Sequence, residues 1–394
     1  MSSLIENDQD NKDKNNKYLI ITNAYPHEDQ LYRNGFIHRR VKAYQAKGLD
    51  VEVFVLHGAF QTFEEYTFDG VHVSRGLKSD LYATLSETKY SKILIHFVSQ
   101  DMIDAIMDSA QDVPIIIWVH GFEAEAWHRR WFNFMSSKDD LKRILQMKDS
   151  FYENQLKLMN WLYQTKELNL QFVHVSKWFK EHIAECDARA VSQNASIIPN
   201  IVDSDLFNYQ EKSEKQRFKV LSIRPYASHK YANDQSVDAV LELSKRPYFD
   251  RLEFAFYGEG KLFEKTLLPL RNFENVTLHK SFLNQNEISE LHKEYGIFLC
   301  PTRLDSQGVS MCEAMSSGLV PISSDITAIP EFVTHNYSGL LAKPEDPVDL
   351  ADMIERLFFN SSLFKKLSKN ASDSIEKKCS QEVVINKELE LILS

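Results

Sequence analysis

The chain has 394 residues, 43% of them hydrophobic, and a formal net charge of -10 at pH 7. That length suits two domains of ordinary size, each with its own core, and the acidic balance argues against a broad nucleic-acid surface. No secretory leader is evident and no apolar run approaches the length of a membrane span, so a cytoplasmic protein is expected.

Residues 1–16 are polar, rich in Asn, Asp and Lys, and read as a disordered tail. The first domain is expected over 17–203. Tyr18–Thr22 reads as a short buried strand, and a loop with Pro26 and Gly35 leads into a helix from Phe36 to Lys47, stopped by Gly48. Val51–Leu56 is the next strand, and this βαβ opening implies a parallel sheet. Lys92–Val98 and Pro114–His120 continue it, with Ile115-Ile-Ile-Trp-Val119 as its most buried strand. Residues 121–170 break the alternation, being rich in aromatic and charged residues in a helical pattern. One reading is helices packed on the first sheet. The other is an acceptor or membrane-surface contact through Trp127-His-Arg-Arg-Trp-Phe132, whose Arg and Trp mix suits lipid headgroups. Gln171–Ser176, a helix over Lys177–Glu185 and a strand at Ser196–Pro199 close this half, and Asn200-Ile-Val-Asp203 reads as the crossing to the second.

The second domain, expected over 204–375, opens with the strand Phe218–Ile223. A helix over Gln235–Leu243, strands at Arg251–Tyr257 and Val276–His279, and a helix over Glu287–Lys293 follow, again the pattern of a doubly wound sheet. Residues 301–331 organise the rest. The apolar run Tyr295–Cys300 is a buried strand, and Pro301 ends it because proline cannot feed a central ladder. A polar loop then enters the helix Val309–Ser317, closed by Gly318, and Val320–Ser323 starts another strand. Such a unit aims a helix N-terminus out of the carboxyl edge of a parallel sheet, where anions bind. Asp305 lies in the loop and Glu313 eight residues on in the helix. Two carboxylates beside an anion site fit a ligand that also carries hydroxyls, as a nucleotide sugar does. The last helices run from Pro347 to Leu393.

The stretch Asp305-Ser-Gln-Gly308-Val-Ser-Met-Cys-Glu313-Ala-Met resembles the donor-site signature of family-4 retaining glycosyltransferases (glycosyl transferases group 1), with Asp305 and Gln307 where the family usually has Glu and an aromatic residue. Ile223-Arg-Pro-Tyr-Ala-Ser-His-Lys230 keeps that family's Arg-to-Lys spacing, and Asn200-Ile-Val-Asp203 resembles its interdomain Pro-Asn-Gly-Val-Asp. The resemblance runs from about residue 18 to 360 and is strongest over 199–331. It implies an α/β GT-B fold, two Rossmann-like doubly wound parallel-sheet domains facing a central cleft, with residues 376–394 packing back on the first domain.

For the site, the resemblance implies that Arg224 and Lys230 grip the donor diphosphate, where fixed cations meet the charge of the leaving group. Glu313 would accept from both ribose hydroxyls. Asp305, Ser306, Gln307, Gly308 and Val309 would lie against the sugar and phosphates. His120, at the exit of a central strand, would face the donor sugar, and the Asn34-Gly35 loop the diphosphate. The expected catalytic set is His120, Arg224, Lys230 and Asp305, and the acceptor-side candidates are Arg33, Trp127, Arg129 and Arg130. Cys186, Cys300, Cys312 and Cys379 show no ligand spacing; Cys300 and Cys312 read as reduced core thiols. Asp8-Gln-Asp10 lies in the tail and Asp203-Ser-Asp205 in the crossing, so no metal and no cofactor are expected. The expectation is a retaining, metal-independent transferase acting from a nucleotide sugar onto a glycan or lipid-linked acceptor, in bacterial surface polysaccharide synthesis, with peripheral membrane contact and no nucleic-acid partner. The alternatives are a nucleotide-sugar epimerase of the same architecture and a catalytically inactive donor-binding partner subunit.

Overall fold

The computed structural model describes residues 16–28, 33–58, 62–134 and 137–394. The tail expected over 1–16 lies outside them except for Asn16.

The first domain is an eight-stranded sheet of order β3-β4-β2-β1-β5-β6-β7-β8. Its strands are β1 (Lys17–Thr22), β2 (Asp50–Leu56), β3 (Glu64–Phe68), β4 (Val71–Gly76), β5 (Lys92–His96), β6 (Ile115–Val119), β7 (Leu170–His174) and β8 (Ala195–Ile197). All neighbours run parallel except β3 with β4. The central strands β5 and β6 are buried at every residue, which is why they read as near-continuous apolar runs. The β3–β4 hairpin and the helices α2 (Lys78–Glu87) and α3 (Gln100–Asp108) are additions to the sequence reading. β3 is an edge strand that buries no residue fully, so its sequence, Glu-Glu-Tyr-Thr-Phe, carries little apolar signal.

Both faces of this sheet are covered. On one face, Leu81, Met102, Ile103, Ile106, Leu158 and Leu162 join the undersides of β1, β5 and β6 in one core. These side chains come from α2, α3 and α5 (Glu153–Gln164). Between α3 and α5 stands α4 (Lys138–Met147), which buries no residue and leaves Leu141, Leu145 and Met147 exposed. The helical reading of 121–170 therefore holds for α5, whereas α4 stands off the sheet. Residues Phe122–Ala124 and Trp127–Asn133 form tight 3-10 turns. The opposite face packs on α1 (Gly35–Ala46) through Ile37, Val41 and Tyr44.

The second domain is a six-stranded parallel sheet of order β11-β10-β9-β12-β13-β14. It comprises β9 (Lys219–Ile223), α6 (Asn233–Leu243), β10 (Glu253–Tyr257), β11 (Val276–His279), α7 (Gln285–Glu294), β12 (Ile297–Leu299), α8 (Val309–Ser316), β13 (Val320–Ser324), β14 (Leu340–Ala342), α9 (Pro347–Phe359) and α10 (Ser361–Cys379). Two doubly wound domains facing a cleft make this a GT-B fold. Two segments cross between them side by side: Val202 bridges to Ser380, and its N–H donates to the Cys379 carbonyl at 2.8 Å. No helix among the described residues is long and apolar enough to cross a membrane.

After the second crossing, α11 (Gln381–Leu393) returns to the first domain, where Val384, Ile385 and Ile392 join the core beside α1. Glu388 projects from it into full burial. Its carboxylate accepts from Arg40 Nε at 2.9 Å, the Tyr44 hydroxyl at 2.7 Å and Trp118 Nε1 at 3.1 Å. Removing one partner of a buried pair strands the other charge in a low-dielectric interior. Glu388→Ala is therefore expected to lose about 3–5 kcal/mol of stability, read as a lower urea midpoint; an unchanged midpoint contradicts this role.

Candidate functional site

Ligands of open α/β sheets bind beyond the carboxyl ends of strands, where the strand order reverses. Here those reversals fall between β1 and β5 and between β9 and β12. The loops leaving these strands and their neighbours meet across the cleft. A cavity of about 160 Å³ lies between Phe97, His120, Phe122 and Arg130 of the first domain and Lys230 and Ser306 of the second.

On the second-domain wall, Arg224 follows β9 and is buried. Its guanidinium donates from Nη1 to Ser310 Oγ at 2.9 Å and from Nη2 to Asp305 Oδ2 at 3.4 Å, and lies 4.6 Å from the centre of the Tyr231 ring. Lys230 Nζ stands 3.5 Å from Asp305 Oδ1. Burial pushes the Asp305 carboxyl up, but Lys230 and Arg224 outweigh it and hold it below the usual carboxylate range. Two cations against one carboxylate leave this wall positive, and Arg224 Nε is buried without a partner. The turn Gly258-Glu-Gly260 supports the Arg224 loop from below. A Cβ on Gly260 would sit 2.2 Å from the Tyr226 carbonyl carbon, and its φ of +144° favours glycine. A motif too short to weigh in the sequence thus sets how the cationic loop lies.

The loop 301–308 is anchored to the same loop, with the Arg303 N–H donating to the Lys230 carbonyl at 2.8 Å. Gly308 takes the left-handed conformation, φ +80°, that turns the chain into α8, and half-buried Val309 begins that helix. Ser306 donates from Oγ to the His120 carbonyl at 3.1 Å, joining the two walls. Gln307 turns its side chain to the interdomain crossing. Its amide accepts from Asn200 N at 2.7 Å and donates to Asn200 O at 3.1 Å, binding the loop to the interdomain crossing. Glu313 is buried on α8 and accepts from Gln285 Nε2 at 3.3 Å. Burial pushes its carboxyl up to about 7, with Arg39 opposing and Asp203 assisting.

On the first-domain wall, His120 leaves β6 with Nε2 2.9 Å from His96 Nδ1 and its ring packed on Phe97. Burial, helped by the charge of Arg40, holds His120 well below the ordinary imidazole range, so the ring is neutral. With Nε2 committed to His96, any ligand contact of the ring falls to Nδ1. Phe97 has a positive φ of 61°, which a bulky residue rarely adopts, and nothing in its sequence context signals this. Glu123 fixes the turn after β6, its carboxylate accepting from the main-chain N–H groups of His120 and Gly121.

The other residues expected on this wall are placed as follows. Gly35 is the first residue of α1, and a side chain there would meet nothing within 4 Å. Asn34 before it takes the left-handed conformation, φ 53°, and its Nδ2 donates to Asn23 Oδ1 and the Ala24 carbonyl, both at 3.1 Å. Arg129 is held by Asp187 at 2.7 Å and so is committed to the fold. Trp127 is half-buried and stacked on Phe134. Arg130 does line the cavity, paired with Glu125 at 2.7 Å, whereas Arg33 is exposed and outside it.

Burial pushes the Glu123 carboxyl up to about 7, above its ordinary 4.5, despite the main-chain N–H groups that favour its charge. A carboxyl raised in the folded state binds a proton there that the unfolded chain has already released. Its stabilising contribution is full below 4.5 and lost as pH rises through 7. Measured by urea unfolding, the wild type is expected to lose stability relative to Glu123→Gln across that window, by about 1.4 kcal/mol for each pH unit crossed. Parallel pH profiles of the two proteins contradict it.

Residues 204–374 match the family model of glycosyl transferases group 1. An uncharacterized glycosyltransferase of Methanocaldococcus jannaschii is 26% identical over 211 residues, covering 52% of this chain and 55% of its own length. A poly(ribitol-phosphate) alpha-N-acetylglucosaminyltransferase of Staphylococcus aureus is 27% identical over 146 residues, covering 36% of this chain and 29% of its own. The aligned part thus spans about half the first relative and less than a third of the second. Among solved structures, Anabaena HepE in complex with UDP and glucose superposes over 96% of this chain and 99% of its own, with a TM-score of 0.65 and 15% identity. The second domain, with its cationic loop and Glu313 helix, is therefore the part of this GT-B chain that matches glycosyl transferases group 1.

Proposed function

We propose that the chain is a retaining glycosyltransferase that requires no metal ion. It moves a sugar from a nucleotide donor held on the second domain to a glycan or lipid-linked acceptor entering from the first. The observation that carries this is the convergence of Arg224 and Lys230 beside the N-terminus of α8, within a domain that matches glycosyl transferases group 1. The UDP and glucose bound to Anabaena HepE, and the alpha linkage in the name of the Staphylococcus aureus relative, support the donor class and a retained configuration. The exposed Phe122 and Phe151, stacked at 6.3 Å beside the cavity, support a lipid-linked acceptor presented at the inner face of a membrane, as surface polysaccharide synthesis would require.

In this reading Glu313 accepts hydrogen bonds from the ribose diol, and Arg224 and Lys230 receive the diphosphate. The bond from the anomeric carbon to the diphosphate oxygen breaks. The acceptor oxygen bonds that carbon on the same face, and its proton passes to the departing phosphate oxygen. The two cations meet the charge that grows on the diphosphate, an interaction strongest in the transition state. Neutral His120 offers a hydrogen bond to a sugar hydroxyl without placing a positive charge beside the cationic sugar. The cross-cleft bonds of Ser306 to His120, and of Ser228 Oγ to Asn133 Oδ1 at 2.7 Å, hold the two walls together, and closure around the donor would exclude water.

The test is transfer from a panel of nucleotide sugars, with the anomeric configuration of the product read by NMR; an inverted product ends the retaining assignment. Arg224→Ala and Lys230→Ala are each expected to lower turnover by roughly a hundredfold or more. Their effects should not add, because both face one diphosphate. His120→Ala should depress transfer while leaving nucleoside diphosphate affinity nearly intact. Normal turnover in both cation variants, with nucleotide affinity lost in His120→Ala, would reverse the assignment of the two walls. Activity should survive EDTA; loss on chelation with recovery on manganese contradicts the metal-free reading.

A further inference from the structure

Beyond the cavity, a first-domain cation reaches toward Glu313. Arg39 projects from α1, and its Nη1 donates to Gln285 Oε1 at the start of α7. Gln285 Nε2 in turn donates to Glu313 Oε1 at 3.3 Å. The relay has one polarity. A guanidinium can only donate and an ionised carboxylate can only accept, so the amide must turn its oxygen to Arg39 and its NH2 to Glu313. Arg39 Nε is itself buried without a partner. The groups facing Glu313 are Arg39 from α1, Asp203 from the crossing, Cys312 on its own helix and the neutral Gln285 from α7. Among the charged ones, only Arg39 favours its ionised form.

We propose that Arg39 is a positioning residue for the nucleoside: through Gln285 it orients the Glu313 carboxylate that receives the ribose hydroxyls, which makes the first domain part of the nucleoside site. This rests on Glu313 being the ribose carboxylate. One Glu313 oxygen is engaged by Gln285, which fixes the rotation of the carboxylate and leaves the other free for the diol. Losing Arg39 frees the Gln285 amide to flip and removes the charge that opposes burial. Glu313 then binds its proton at higher pH, and a protonated carboxyl is the poorer acceptor.

The experiment is calorimetric titration of the full chain with UDP and with GDP in parallel, at about pH 6 and about pH 8.5, on either side of the Glu313 titration. The variants are Arg39→Ala, Arg39→Lys, Gln285→Ala, Arg39→Ala/Gln285→Ala and Glu313→Ala. Arg39→Ala and Gln285→Ala are each expected to weaken binding roughly tenfold at the lower pH. The loss should shrink at the higher pH for Arg39→Ala, Arg39→Lys should recover part of it, and the double variant should be no weaker than the worse single one. If Glu313→Ala loses affinity but Arg39→Ala and Gln285→Ala match the wild type at both pH values, the proposal is overturned and the donor site stands. If Glu313→Ala itself binds like the wild type, the donor reading fails, and this inference with it. Should Arg39→Ala fail to fold, the half-exposed Gln285→Ala decides alone, since it breaks the same relay without disturbing α1.

Discussion

One buried carboxylate shared by two cations sets the character of the cleft. Asp305, Arg224 and Lys230 come from two loops of the second domain and would each be costly to bury alone. Together they leave an excess of positive charge in a site walled by protein, where Coulomb interactions are stronger than in water. Asp305 offsets part of that charge, and the proposed donor diphosphate would meet the rest. The surrounding details follow from this need. Tyr231 offers its ring face to both cations, Ser310 accepts a hydrogen bond from the guanidinium, and Gly260 lets the supporting turn approach the Arg224 loop closely.

The same loop is tied to the hinge. Gln307 lies two residues beyond Asp305 and holds the main chain of Asn200 at both N and O. Arg40 reaches Asn200 Oδ1 from the other side at 3.3 Å. The first crossing is thus gripped by the 301–308 loop and by α1, while Val202 pairs it with the second crossing. Across the cleft the walls meet through scattered polar contacts: Ser306 with His120, Asn133 with Ser228 and His229, Arg39 with Gln285, and Glu331, which accepts from the N–H groups of Lys177 and Trp178 at 3.0 and 2.6 Å. Each neutral contact is worth about 1 kcal/mol net and each one to a charged group about 1.5–3, so closure is a balance that a ligand bridging both walls can tip.

Much of this was legible in the sequence, for a physical reason. Strands buried on both faces are rich in apolar residues, so β1, β5, β6 and β9 stood out, and α8 was marked by the strand and Pro301 before it and by Gly318 at its end. What stayed hidden depends on partners far along the chain. Arg129 and Arg130 are adjacent and alike in type, yet one is held by Asp187 and the other lines the cavity beside Glu125. No local pattern separates them. Gln307 sits inside the motif but serves a backbone segment over a hundred residues away in sequence. Asn34 turns the chain into α1 in the left-handed conformation, which Asn tolerates because its amide can bond its neighbours, and only the fold shows which neighbours those are. Glu123 looked like part of an aromatic run, and only its two main-chain donors reveal that it shapes the turn after β6.

The first-domain wall completes the electrostatic logic of the proposed reaction. The second domain supplies positive charge where the diphosphate departs. A second positive centre facing the sugar would oppose the positive character that its anomeric carbon acquires. His120 avoids this by being neutral, and it is neutral because it is buried and because Arg40 stands near it. Arg40 in turn could not occupy a fully buried position without Glu388. The last helix therefore does more than cover the sheet. Its single buried carboxylate lets a cation sit behind the first-domain wall, where it adds to the burial that already keeps the histidine uncharged.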